Sequence, residues 1–115
     1  MLTGGVGADV FRFNSVLNGS INVDRITDFN PTVSAATTDR IQLENTGTGL
    51  FTALTMTGTL AASAFISGAA FTSAAERIRY ESTTGSLFYD ADGNGAQASI
   101  LFANLSTGLA INHTH

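Results

Sequence analysis

Cysteine and lysine are missing from this 115-residue chain, and proline occurs once, at Pro31. Without cysteine there is no disulfide framework, no thiol nucleophile and no Cys-type zinc site. Charge is scarce too, at 12% against 43% hydrophobic residues. That is too apolar for intrinsic disorder and too weakly charged for a coiled coil or a long solvated helix. The basic residues are all arginines (Arg12, Arg25, Arg40, Arg77 and Arg79), and the net charge is −4. A nucleic-acid binder needs a basic face that displaces counterions, so no nucleic acid is expected as a partner, and an anionic membrane surface is excluded likewise. The acidic balance suits a divalent cation. Met1 to Gly5 lacks the basic and apolar regions of a Sec signal peptide. The least polar stretch, Leu60 to Phe71, is broken by Ser63, Ser67 and Gly68, so no membrane span is expected.

The length fits one domain. The 12 glycines mark frequent turns. Val10-Phe11-Arg12-Phe13 alternates after a glycine turn and predicts a short strand. Asn18-Gly19-Ser20 is a turn signal. Asp24-Arg25-Ile26-Thr27-Asp28-Phe29 is again β-like, stopped at Asn30-Pro31, and Asp39-Arg40-Ile41-Gln42-Leu43 repeats the scheme. Asp-Arg-Ile thus occurs twice, consistent with stacked turns of a solenoid. The Thr-, Ala- and Gly-rich middle is less determined: 50–54 reads as a strand or a helical turn, and Thr59 as the cap of a short helix reaching Ala64-Phe65. Further on, Glu76 to Tyr80, Leu87 to Tyr89 and Ala98 to Phe102 predict a three-stranded antiparallel meander. Its inward residues are Ile78, Tyr80, Leu87, Tyr89, Ile100 and Phe102; Arg77 and Arg79 point outward, with Glu76 and Glu81 as surface partners.

The sharpest signal is Gly4-Gly5-Val6-Gly7-Ala8-Asp9-Val10-Phe11-Arg12, which fits the nonapeptide G-G-x-G-x-D-x-U-x at every fixed place. Glycines permit a tight turn with inward carbonyls, Asp9 adds a carboxylate, and Phe11 packs beneath. Calcium takes oxygen ligands of both kinds. A phosphate loop would need a Gly-Lys-Ser element or a following helix, and this chain continues as β.

The nonapeptide, Phe11 to Asn14, the two Asp-Arg-Ile segments, Arg77-Ile78-Arg79-Tyr80 and Leu87 to Gly95 together resemble the C-terminal module of RTX (repeat-in-toxin) proteins, the calcium-binding type I secreted proteins that include the serralysins. The resemblance covers nearly the whole chain. It implies an all-β fold with little helix: the end of a parallel β-roll over residues 1–44, joined over 45–115 to an antiparallel cap carrying an export signal. It also implies Ca2+ ligation by carbonyls around Gly4, Val6 and Gly7 and by Asp9, with Asp28 and Asp39 supplying carboxylates in later turns. One intact nonapeptide makes only half of a roll site, so upstream repeats would complete it. The implied partners are calcium ions, the type I secretion machinery, and upstream RTX repeats or a passenger domain. The implied location is extracellular.

Asp90-Ala91-Asp92-Gly93-Asn94-Gly95 matches the first half of an EF-hand loop, but its position 12 would be Leu101 rather than Glu. Asp90, Asp92 and Asn94 therefore stand as a second calcium-site candidate beside an ordinary hairpin turn. His113 and His115 are expected to be solvated. With no H-E-x-x-H and no nucleophile elbow, no catalytic role is expected. The alternative is an extracellular binding or adhesion module, or a structural end-cap, in which calcium is incidental.

Overall fold

The computed structural model describes residues 2–32, 37–46, 50–54, 58–95 and 97–115. Those residues form an all-β fold with one short 3-10 turn, Ala62–Ala64. The strands are β1 (Val10–Phe13), β2 (Asp24–Arg25), β3 (Arg40–Leu43), β4 (Phe65–Ser67), β5 (Ile78–Glu81), β6 (Ser86–Tyr89) and β7 (Ile100–Asn104).

Parallel pairing dominates the first part. β1 pairs with β3 in the register Val10↔Arg40 to Phe13↔Leu43. Leu2 bridges Ile26 in parallel, and β2 in turn pairs with β7. Two successive turns, one before β1 and one before β3, therefore lie one upon the other. The alternation read from Val10 to Phe13 holds, with Phe11 and Phe13 buried and Val10 and Arg12 exposed.

The expected meander is present. β5, β6 and β7 pair antiparallel in that order. Leu87 opposes Ala103 while Phe88 opposes Leu101, so Phe102 is the extra residue of a β-bulge. The bulge explains why neighbouring Phe102 and Ala103 are both buried, which strict alternation forbids. Strand β4 pairs in parallel with β5 and completes a five-stranded sheet. No period-2 pattern announced it.

Aromatic edges join the two sheets. Phe13 meets Phe102 edge-on at 5.3 Å between centroids. Phe51, fully buried, packs edge-on to Phe102 and Tyr89, each at 5.0 Å. The Tyr89 hydroxyl accepts the Ala53 N–H at 2.9 Å, and the Tyr80 hydroxyl donates to the Ser106 carbonyl at 2.6 Å. Both buried phenols thus have the partners that burial demands.

Of the two forms expected for residues 50–54, a strand or a helical turn, the chain takes a turn, closed by the Leu54 N–H on the Phe51 carbonyl at 3.0 Å. Three local expectations are corrected. Ala61, not Thr59, precedes the 3-10 turn, and its side chain offers no cap. Arg79 is buried rather than outward, because Phe88 and Phe71 cover the second face of β5 and stack on its guanidinium at 4.1 and 5.5 Å. His113 and His115 are held rather than solvated: a ring nitrogen of each lies 2.7 and 2.9 Å from the carbonyls of Leu60 and Pro31 respectively.

Candidate metal centre

The turn from Gly4 to Asp9 joins the Leu2 bridge to β1, and that from Asp28 to Asp39 joins β2 to β3. The parallel registers stack the two, and two carboxylates stitch them together. Asp28 accepts the Gly4 N–H at 3.0 Å on one oxygen and the Gly5 N–H at 2.7 Å on the other. Asp39 accepts the Asp9 N–H at 2.9 Å and the Asn30 N–H at 2.8 Å. These four donors belong to turn backbone that no strand satisfies.

The upper turn needs its glycines. Gly5 and Gly7 have φ of +91° and +105°, a region side chains rarely enter. Val6 is entirely exposed at the turn's apex. The Asp9 carboxylate occupies the space a Gly4 side chain would take. Its Oδ2 is buried and has no hydrogen-bond partner.

These contacts set the electrostatics. The Gly5 and Gly4 N–H groups hold the Asp28 carboxyl below the usual aspartate range, against the opposing effect of burial. A carboxylate oxygen that accepts one N–H keeps a second lone pair for a cation. Asp9 Oδ2 is unused altogether. The donor set is hard oxygen throughout, which fits calcium. It supplies only part of a coordination shell: among the described residues no three His, Cys, Asp or Glu side chains cluster closely enough to hold a metal.

The second candidate lies at the other end of the meander. Asp90 is buried and its carboxylate accepts the Asp92 N–H at 3.1 Å. Asp92 accepts the Gln97 N–H at 3.1 Å with Oδ2, while its Oδ1 is buried without a hydrogen-bond partner. Asn94 donates a side-chain N–H to the Thr72 carbonyl at 3.2 Å, which ties it to the facing turn through its nitrogen and leaves its oxygen, the atom a calcium ion would take, outside that bond. Gly93, at φ +64°, lies so close to the Ser73 carbonyl that a Cβ would collide with it. Burial, aided by the adjacent Asp92 carboxylate, pushes the Asp90 carboxyl up. The Gln97 N–H, with help from Asp90, draws Asp92 down.

The turn facing this one is built by Glu76, expected as a surface partner of Arg77. It is instead buried and accepts the Thr72 N–H at 2.7 Å, the Ser73 N–H at 3.2 Å and the Thr72 hydroxyl at 2.9 Å. Burial opposes ionisation, but these donors prevail and hold its carboxyl low. Ser73-Ala74-Ala75-Glu76 is a capping-box spacing, a signal in the sequence that identifies this residue as a turn clamp.

The structure thus brings Gly4, Asp9, Asp28 and Asp39 together in one pair of stacked turns, and Asp90 and Asp92 in a separate one. No family model matches this sequence, and no curated protein or solved structure does either. No described helix is long and apolar enough to cross a membrane.

Proposed function

We propose that this chain is a calcium-binding module of an extracellular, type I secreted protein, the closing portion of a parallel β-roll, and that calcium drives its folding and supports that of an upstream passenger. The observation that carries this reading is the unpartnered, buried Asp9 Oδ2 inside a glycine turn stacked upon a second acidic turn. Asp9 and the carbonyls around Gly4, Val6 and Gly7 would hold the ion, with Asp28 offering its remaining lone pairs. Bound calcium would supply positive charge to a chain that carries a net −4. The module has no catalytic part in this reading.

The coupling is linkage. A ligand that binds only the folded chain stabilises it by RT ln(1 + [Ca]/Kd), about 4 kcal/mol at a thousandfold excess over Kd. Where calcium is scarce the module stays loose; outside the cell it closes. Titrating calcium into chelator-treated protein, followed by far-UV circular dichroism and melting, tests this. The expected result is a gain of β signal or a higher Tm. Unchanged curves, both alone and with upstream repeats attached, overturn it.

One observation favours the second reading, a structural end-cap or binding module in which calcium is incidental. Asp28 and Asp39 already satisfy four turn N–H groups without an ion. A cooperative melt in chelator, insensitive to calcium, is its signature.

A further inference from the structure

Two Asn-Gly pairs stand exposed in turns, Asn18-Gly19 between β1 and β2 and Asn94-Gly95 between β6 and β7. Asparagine is thermolabile because the next residue's backbone nitrogen can attack its side-chain amide. A following glycine leaves that attack least hindered, having no Cβ beside the nitrogen. The fold treats the two pairs in opposite ways.

Asn94-Gly95 is tied down at three points. The Asn94 side-chain nitrogen donates to the Thr72 carbonyl and its backbone N–H to the Ser73 carbonyl, each at 3.2 Å. The group that would attack, the Gly95 N–H, donates to the Asp92 carbonyl at 3.2 Å. Asn18-Gly19 is held by bonds that spare the reacting groups. The Asn18 carbonyl accepts the Asn22 N–H at 2.9 Å and closes the turn. Its Oδ1 accepts the Ser20 N–H at 2.9 Å and the Ile21 N–H at 3.2 Å. The Asn18 side-chain nitrogen and the Gly19 N–H make no hydrogen bond among the described residues. The two donors on Oδ1 polarise Cγ, and they face the oxygen on which negative charge develops when Cγ is attacked.

We propose that Asn18 is a self-modification site, deamidated through its own turn, and that the fold protects Asn94. The Gly19 nitrogen gives its proton to hydroxide, and its electron pair forms a bond to Asn18 Cγ while charge passes to Oδ1. The adduct collapses, the Cγ–Nδ2 bond breaks, and the nitrogen takes a proton from water and leaves as ammonia. Water then opens the cyclic imide at one carbonyl or the other, giving aspartate or isoaspartate. The net change is amide plus water to carboxylate plus ammonium, with no oxidation or reduction. The turn gains a negative charge, and the isoaspartyl product adds a methylene to the main chain inside the Asn18–Asn22 bridge. The site is separate from the stacked acidic turns and does not depend on the calcium reading.

Incubation of the full chain at mildly alkaline pH in millimolar calcium, with peptide mapping by mass spectrometry over time, tests it. A parallel incubation in urea gives the rates of the unfolded chain. In urea the two pairs should react alike. In the folded chain Asn18 should react at least as fast as in urea, and Asn94 at least about tenfold more slowly, since its hydrogen bonds must open first. Gly19 lies outside the left-handed region, and a Cβ there would meet Leu101 and Ile100 at ordinary contact distances of 3.7 to 3.9 Å. Gly19→Ala should therefore keep the parent Tm while slowing Asn18 at least about tenfold, by hindering the attacking nitrogen. An Asn94 that reacts as fast as Asn18 in the folded chain, an Asn18 slower there than in urea, or a Gly19→Ala variant that deamidates at the parent rate would each overturn the proposal.

Discussion

Asp39 holds the backbone N–H of Asp9 at 2.9 Å and with its other oxygen that of Asn30 at 2.8 Å, while itself only 2% exposed. The two aspartates therefore have different work. Asp39 spends its oxygens on backbone; Asp9 keeps Oδ2 unspent. Asp39→Ala orphans two N–H groups, at about 1–3 kcal/mol each, and should lower stability in chelator and in calcium alike. Asp9→Ala should leave stability in chelator nearly unchanged and remove most of the gain from calcium. Urea melts of both variants in both buffers check this.

Asp28 makes the upper turn sensitive to acid. Its carboxyl is held low by the Gly5 and Gly4 N–H groups in the folded state. A depressed folded-state pKa contributes stability that is present above the ordinary aspartate range and lost as pH falls through the lowered value. The Tm of the parent should therefore decline on acidification through that window. Asp28→Asn, which keeps one oxygen acceptor and has no titration, should start lower at neutral pH and show a flatter acid slope.

Asp90 has the opposite sign. Burial first, then the Asp92 carboxylate, raises its carboxyl. A raised carboxyl contributes stability below the ordinary aspartate range, and this is lost as pH rises through the elevated value. At neutral pH in chelator the ionised pair is a burden, so Asp90→Asn should raise the Tm there, since an amide oxygen still accepts the Asp92 N–H. In calcium the outcome separates two roles: a variant that loses a calcium response held by the parent marks Asp90 as a ligand, and one that responds equally marks the turn as structural. Melting scans at two pH values, with and without calcium, read both.

The legible parts of the sequence were those with a short period. Val10 to Phe13 and the meander alternate because one face of each strand meets the core, and their strands stand where that pattern puts them. The parallel partner β4 was hidden, since Phe65-Ile66-Ser67 is too short to show a period and its pairing comes from β5. Arg79 looked like a surface residue because alternation reads two faces, and Phe71 and Phe88 add cover on the second. The acidic turn residues were found by type, but their hydrogen bonds were not, because three of the four that Asp28 and Asp39 make reach backbone 23 to 30 residues away and the fourth spans nine. Local spacing carries no trace of such reach.

Phe51 is the residue whose weight the sequence least betrays. It stands among Thr, Ala and Gly, yet it is fully buried and touches Phe102 on β7 and Tyr89 on β6 edge-on. Phe102 in turn meets Phe13 of β1. Phe51 is thus one link of an aromatic chain that spans both sheets. Phe51→Ala deletes two edge-on contacts and opens a cavity, at a cost of about 3–5 kcal/mol, a large fraction of the total stability of a domain this size. Phe51→Leu keeps most of the volume and should cost markedly less. Because Phe51 lies in neither pair of acidic turns, both variants should lower the urea midpoint by the same free energy with and without calcium. A loss confined to one buffer would instead tie this aromatic chain to the metal-dependent turns.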